Sequence, residues 1–174
     1  MLIVCSKLRF HAEGSRLDHQ GISGNAIKPI AICCLNLRKL RLLGIRDVDG
    51  DAINALVKHC MNLIEIGFMD CHNIDEAALG NVVTLRFLSI AGTTRMNWGL
   101  VSQYWTKLPN LKGLDISRTN VTRSIVWMLL SSSTSLKVLC ALHCPALEEC
   151  DRGSNNYYPR GKLVIVFLRI FAKS

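Results

Sequence analysis

The sequence lacks any apolar run long enough to cross a membrane. A membrane-spanning helix needs roughly 18–20 apolar residues, and the longest candidate run, 163–168, ends at Arg169. The N-terminal segment also lacks the apolar core and cleavage site of a secretory signal, because Lys7 and Arg9 interrupt it. We therefore expect a reducing intracellular compartment, in which the eight cysteines are not a disulfide framework.

Signatures of catalysis and of metal binding are missing as well. The sequence has no G-x-S-x-G elbow, no phosphate-cradling glycine loop and no C-x-x-C pair. The five histidines show no arrangement that suits a nucleophilic enzyme. The pairs His59-Cys60 and Cys71-His72 suggest zinc at first, but the two cysteines are explained better by their positions in the repeat described below. We predict no enzyme, no metal site and no cofactor.

The net charge of +8 does not by itself define a site. The basic residues are scattered: Arg38, Lys39 and Arg41 form one patch, and a second group lies in the tail, at Arg152, Arg160, Lys162, Arg169 and Lys173. Nucleic-acid binding would need clustered cations along a groove, together with stacking aromatic side chains. A basic nucleic-acid-associated protein is therefore the less favoured alternative.

The sequence does contain the pattern L-x-x-L-x-L five times, at spacings of 22–26 residues between first leucines. These first leucines are Leu37, Leu63, Leu85, Leu111 and Leu136. The spacing is typical of leucine-rich repeats, and the alternation places one face of each short strand in the core. The sequence predicts an α/β leucine-rich-repeat solenoid of about five repeats, with parallel strands on the concave side and helices on the convex side.

The segments between the strands extend the repeat. Apolar residues at helical spacing follow each of the first four strands. Asp49 and Asp75 precede two of these helices and suit N-cap or first-turn positions. Eight residues after each first leucine lies a turn position that favours a small hydrogen-bonding side chain. It is occupied by Ile45, Cys71, Thr93, Thr119 and Cys144. This composition, apart from Ile45, is typical of the cysteine-containing class of leucine-rich repeats.

The repeats define three parts of the chain. We predict an irregular N-terminal segment at 1–21, the leucine-rich-repeat domain at 22–150, and a polar linker with an apolar and basic C-terminal tail at 151–174. Terminal repeats of a solenoid normally have a polar outer face. Since neither end shows one convincingly, we expect the chain to be a piece of something longer.

Several segments resemble the plant Arabidillo proteins closely. They are 31–34, 44–56, 98–103, 113–119, 130–133 and 135–142. The resemblance covers roughly 22–149. Arabidillo proteins are large nuclear proteins that combine an F-box, a leucine-rich region and armadillo repeats, and they are linked to root branching.

The resemblance implies the substrate-recognition region of an F-box ubiquitin-ligase receptor, which would bind a protein substrate or scaffold partner. It also implies a nuclear location, although the chain contains no nuclear-localisation cluster. We find no F-box in the sequence, so we expect no binding of a Skp1-type adaptor by this chain. The alternative is a truncated fragment without function.

The concave face is the usual binding surface of a solenoid. Aromatic and methionine anchors among small residues suit a protein partner, and Phe87 and Met69 are such anchors. The predicted partner-binding residues are Lys39, Arg41, Leu43, Glu65, Met69, Phe87, Ser89, Asp115, Ser117 and Cys140. The alternative is that further repeats or a tail cover this face.

Overall fold

The computed structural model describes residues 7–11, 24–148 and 163–165, with side chains for 24–147. These residues form an α/β arrangement of a parallel sheet and helices that is compatible with a repeat fold. The strands and helices in chain order are β1 Lys7–His11, α1 Ile27–Cys33, β2 Lys39–Leu43, β3 Asp47–Val48, α2 Gly50–His59, β4 Glu65–Met69, β5 Asn73–Ile74, α3 Glu76–Leu79, β6 Phe87–Ser89, α4 Trp98–Tyr104, β7 Gly113–Asp115, α5 Arg123–Ser132, β8 Val138–Cys140, α6 Pro145–Glu148 and β9 Leu163–Ile165.

Seven of the described strands form one sheet in the order β1-β2-β4-β6-β7-β8-β9, and every pairing in it is parallel. β3 and β5 pair separately, also in parallel. The residues at the fourth position of the five L-x-x-L-x-L patterns lie side by side across this sheet. They are Leu40, Ile66, Leu88, Leu114 and Leu139. The prediction that successive strands stack in parallel is confirmed.

The sheet extends beyond the predicted repeat domain at both ends. β1 lies within the segment predicted to be irregular, and it pairs with β2. β9 lies within the segment predicted to be a linker and tail, and it pairs with β8. A strand at the edge of a sheet leaves a row of backbone groups unpaired, and one further parallel strand satisfies them. Backbone pairing of this kind needs no L-x-x-L-x-L pattern, so the pattern alone does not predict these two strands.

One core holds the sheet and the helices together. The buried strand residues and the buried residues of the helices belong to a single hydrophobic cluster. Trp105 is almost completely buried, and its indole Nε1 donates a 2.8 Å hydrogen bond to the Glu76 carbonyl. The bond satisfies the one polar atom that burial of this side chain would otherwise leave unpaired.

Carboxylates begin two helices, as predicted. Oδ1 of Asp49 accepts a 2.7 Å hydrogen bond from the Ala52 amide, and Oδ1 of Asp75 accepts a 2.8 Å bond from the Ala78 amide. Asn97, which the sequence reasoning missed, caps α4 in the same way. Each cap satisfies an amide that has no partner inside its helix.

Replacing Asp49 with alanine removes the cap of α2. We expect Asp49→Ala to lower the free energy of unfolding by about 1 kcal/mol and Asp49→Ser, which keeps an acceptor oxygen, to retain most of it. Urea denaturation of the three proteins measures both changes. Equal losses in the alanine and serine variants would contradict the capping role.

Candidate protein-binding face

One face of the sheet points away from the core, and we call it the outer face. Its side chains come from alternate residues of β2, β4, β6, β7 and β8, whose other side chains are buried. A depression of about 530 Å³ runs across this face. It is lined by Lys39, Arg41, Glu65, Ile66, Gly67, Met69, Phe87, Leu88, Ser89, Gly113, Leu114, Asp115, Val138 and Cys140.

Eight of the ten residues predicted to bind a partner line this depression; Leu43 and Ser117 do not. Leu43 pairs with Met69 at the end of β2. Ser117 lies beyond the end of β7 and is largely buried. Its hydroxyl accepts a 3.0 Å hydrogen bond from the Leu142 amide. We therefore assign Ser117 to the turn after β7 and not to the open surface.

The end of the depression formed by β2 and β4 contains a compact ionic cluster. Nζ of Lys39 lies 2.7 Å from Oε2 of Glu65, and Nε of Arg41 donates a 2.6 Å hydrogen bond to Oε1. The Glu65 side chain is only 9% exposed, whereas Lys39 and Arg41 are nearly half exposed. The sequence reasoning treated Glu65 as available to a partner, but its carboxylate is already held by two cations. The exposed part of the cluster is therefore positive.

The environment of Glu65 changes its acidity. Burial raises the pKa of this carboxyl, but the hydrogen bonds and positive charges of Lys39 and Arg41 outweigh burial and leave the pKa below its ordinary value of 4.5. The ionised carboxylate is therefore the form that the folded protein favours, and it orders two long side chains on adjacent strands.

The centre of the depression is apolar and contains an aromatic side chain over a glycine. Phe87 is 48% exposed. A Cβ atom on Gly113, its neighbour across the β6–β7 pair, would lie 2.6 Å from Cδ1 of the ring. The Arg41 side chain passes close to Gly67 in the same way, since a Cβ atom on Gly67 would lie 3.3 Å from Cγ of Arg41. The sequence reasoning missed these two glycines, although a glycine inside a strand is a known signal of close approach.

The far side of the depression is polar. Oγ of Ser89 donates a 3.0 Å hydrogen bond to Oδ2 of Asp115, and the Ser117 amide donates a 3.1 Å bond to Oδ1. Asp115 and Ser89 are partly exposed. The outer face thus passes from a positive end, over an apolar centre, to a carboxylate.

The turns after the strands share a backbone conformation that the sequence reasoning missed. Seven residues after each first leucine the backbone angle φ is positive, at Gly44, Asp70, Gly92, Arg118 and His143. Nη1 of Arg118 lies 3.0 Å from Oδ1 of Asp70, although one repeat lies between them. A Cβ on Gly92 would lie 1.9 Å from Oδ1 of Asp70. Glycine at this turn therefore leaves room for an ion pair that joins its two neighbours.

No protein-family model matches the chain. Two curated proteins of Arabidopsis thaliana do: it is 52% identical over 151 residues to Protein ARABIDILLO 1, and 55% identical over 142 residues to Protein ARABIDILLO 2. The chain is therefore similar to a part of the Arabidillo proteins. The matches cover 86% and 82% of this chain, which confirms the predicted resemblance, but they cover 16% and 15% of the two Arabidillo proteins.

The predicted turn position has buried residues in all five patterns. Thr93 and Cys144 donate to backbone carbonyls of the preceding pattern, at 3.4 Å to Phe68 and 3.4 Å to Ile116. Thr119 donates to the Ile116 carbonyl at 2.7 Å. All five side chains are buried, and the buried Ile45 supplies packing alone.

The buried cysteines are positioned as structural residues. Burial raises the pKa of the Cys60 thiol to about 11 and that of Cys71 to about 12. Sγ of Cys60 donates to the carbonyls of Ala31 and Cys34.

Within the described part of the chain, no group of three or more His, Cys, Asp and Glu side chains could hold a metal ion. The helices of that part include none with the length and apolar character needed to cross a membrane.

The cysteines are expected to differ in reactivity. Because the thiolate is the nucleophile, iodoacetamide at pH 7.5 should modify the exposed Cys33 while Cys60 and Cys71 stay unmodified in the folded protein. Peptide mass spectrometry resolves each site. Modification of Cys71 as fast as that of Cys33 without unfolding would contradict a structural role.

The ionic cluster predicts a dependence of stability on pH. Since the pKa of Glu65 is lowered in the folded state, its ion pairs stabilise the fold above pH 4.5, and this contribution is lost as pH falls through the folded-state pKa. Urea unfolding between pH 7 and pH 3 should show a smaller loss of stability for Glu65→Gln than for the wild type.

The matched control is Asp51→Asn, which removes an exposed carboxylate that is paired with Lys28. We expect this variant to keep the pH dependence of the wild type, because exposed pairs contribute little. If Glu65→Gln and Asp51→Asn flatten the curve equally, the Glu65 cluster has no special role.

Proposed function

We propose that this chain is a protein-interaction module built as a leucine-rich-repeat solenoid of the cysteine-containing class, with about five repeats. The outer face is then its concave surface. The in-register ladder of strands and the buried Cys and Thr side chains in the turns support this proposal. A solenoid of this kind uses its concave surface for binding.

The observation that carries the proposal is the half-exposed Phe87 ring in the centre of the depression. A large aromatic side chain, held in place over a glycine and surrounded by polar groups, has the composition of a protein-binding hot spot. The mixed charges at its rim favour a protein over a nucleic acid, because Glu65 and Asp115 lie among the cations.

The similarity to the Arabidillo proteins extends the proposal. We propose that the chain serves as a substrate-recognition region of an F-box ubiquitin-ligase receptor, in the nucleus, and that it binds without catalysis. In this role it contributes the contact with the substrate and not the contact with a Skp1-type adaptor. The chain spans about 15% of the length of the relatives it matches, so the wider role rests on similarity alone.

The test compares two exposed aromatic residues. The chain is immobilised and the proteins that it captures from plant nuclear extract are quantified by mass spectrometry. Phe87→Ala should reduce capture of specific partners by more than about tenfold, as for a hot-spot residue. Trp127→Ala is the matched control, because Trp127 is 58% exposed but lies on α5. Equal effects of the two variants would exclude the outer face as the binding surface.

A further inference from the structure

A second surface lies along the edge where the strands begin, away from the outer face. Consecutive repeats place the same residue types in three adjacent columns there. Two residues before the first leucine is an apolar column, formed by Leu35, Met61, Val83 and Pro109, with Thr134 in the fifth repeat. One residue before it is an amide and hydroxyl column, formed by Asn36, Asn62, Thr84, Asn110 and Ser135. One residue after it is a basic column, formed by Arg38, Arg86, Lys112 and Lys137, with Ile64 in the second repeat.

Backbone hydrogen bonds hold the basic column in register. The Ile64 amide donates to the Arg38 carbonyl, and the bonds from Arg86 to Ile64, from Lys112 to Arg86 and from Lys137 to Lys112 continue the series at 2.8–2.9 Å. All four basic side chains are exposed. None of them forms an ion pair with another residue of the described ranges.

The apolar column is exposed although its members are large. The side chains of Leu35, Met61 and Val83 are each more than half exposed. Single exposed apolar residues are ordinary, but a row of them on consecutive repeats is typical of an interaction surface. Beside this row is a depression of about 610 Å³, which contains members of all three columns.

The middle column can hydrogen-bond to a partner. Thr84 and Asn110 use their side chains as donors to carbonyls of the preceding repeat, at 2.6 Å and 2.8 Å. The side chains of Asn36 and Asn62 are exposed, and neither makes a hydrogen bond to any described residue. A primary amide offers both donors and an acceptor, as a peptide backbone does.

We propose that this strand-entry edge binds an extended peptide segment in which acidic residues alternate with apolar ones. Side chains of an extended peptide point to opposite sides in turn. With its backbone along the amide column, one set of side chains reaches the cations and the other set reaches the apolar column. This surface is separate from the outer face, and the proposal does not depend on the function proposed for that face.

Two other anionic partners fit the surface less well. A flat membrane would contact protruding groups, whereas the three columns meet in a depression. A single-stranded nucleic acid would need aromatic side chains for base stacking, and no residue that lines this depression is aromatic.

The experiment measures binding by fluorescence anisotropy, using the full chain and a labelled decapeptide of alternating glutamate and leucine. We expect saturable binding that weakens as salt is raised. Arg86→Glu combined with Lys112→Glu should weaken it roughly tenfold or more, because two attractive contacts become repulsive. Met61→Ser combined with Val83→Ser should weaken it independently of salt. Circular dichroism melting confirms that each variant is folded.

The control for charge is Arg95→Glu combined with Arg46→Glu, which makes the same change in net charge at exposed positions beyond the other ends of the strands. This variant should bind the peptide as the wild type does. If the control variant weakened peptide binding as much as Arg86→Glu with Lys112→Glu does, the proposal would be overturned. Binding would then depend on the net charge of the protein and not on this edge. Absence of binding, or equal binding of an all-glutamate peptide, would also overturn it.

The same measurement with vesicles containing phosphatidylserine and with oligo(dT) distinguishes the other partners. The proposal would be overturned if the vesicles or oligo(dT) bound more tightly than the peptide and lost this binding in the Arg86→Glu, Lys112→Glu variant. The edge would then be a membrane or nucleic-acid surface. Phe87→Ala should leave peptide binding unchanged, because Phe87 lies on the outer face. A negative result for the peptide therefore bears on the strand-entry edge and not on the function proposed for the outer face.

Discussion

The parallel backbone ladder between consecutive strands places equivalent residues of each L-x-x-L-x-L pattern beside one another, and both surfaces described above depend on it. Because the strand period is two residues, a slip of one residue would exchange the buried and the exposed side chains of a strand. The buried set of leucines and isoleucines therefore fixes the register. With the register fixed, residues that are 22–26 positions apart in the chain become neighbours in a column.

This arrangement explains how residues far apart in the chain form the two surfaces that we propose for binding. The outer face collects alternate positions of the strands, where Glu65 holds two cations and Phe87 covers Gly113. The strand-entry edge collects the residues that flank each first leucine. The turns at the opposite ends carry the buried Cys and Thr side chains and the ion pair between Asp70 and Arg118. The positions that we propose for binding are thus separated from the structural positions along each repeat.

Much of the fold followed from periodicity, because apolar spacing reports directly on which side chains are buried. The parallel stacking was predicted in this way and is confirmed. The caps at Asp49 and Asp75 were predicted from the type of residue before each helix, and they are confirmed as well. Contacts between repeats were harder to predict. The pairing of Asp70 with Arg118, and the role of Gly92 beneath it, depend on the positive φ angles of the turns.

The sequence also concealed how the charge is arranged. Arg38 is next to Lys39 in the chain and was grouped with it, but the two side chains lie in different depressions. Basic residues that look scattered become a column only when the repeats are placed in register. Similarly, Glu65 looks available in the sequence, and only the structure shows that two neighbouring cations hold its carboxylate.

The most direct test of the central claim is site-specific photo-crosslinking on the outer face. A photoreactive amino acid is placed at position 87 in one protein and at position 127 in another, and each is irradiated in plant nuclear extract. We predict that position 87 crosslinks to a discrete protein partner and that position 127, on the helical side, does not. Crosslinking of the same protein from position 127 alone, or equally from both positions, would contradict the assignment of the outer face as the binding surface.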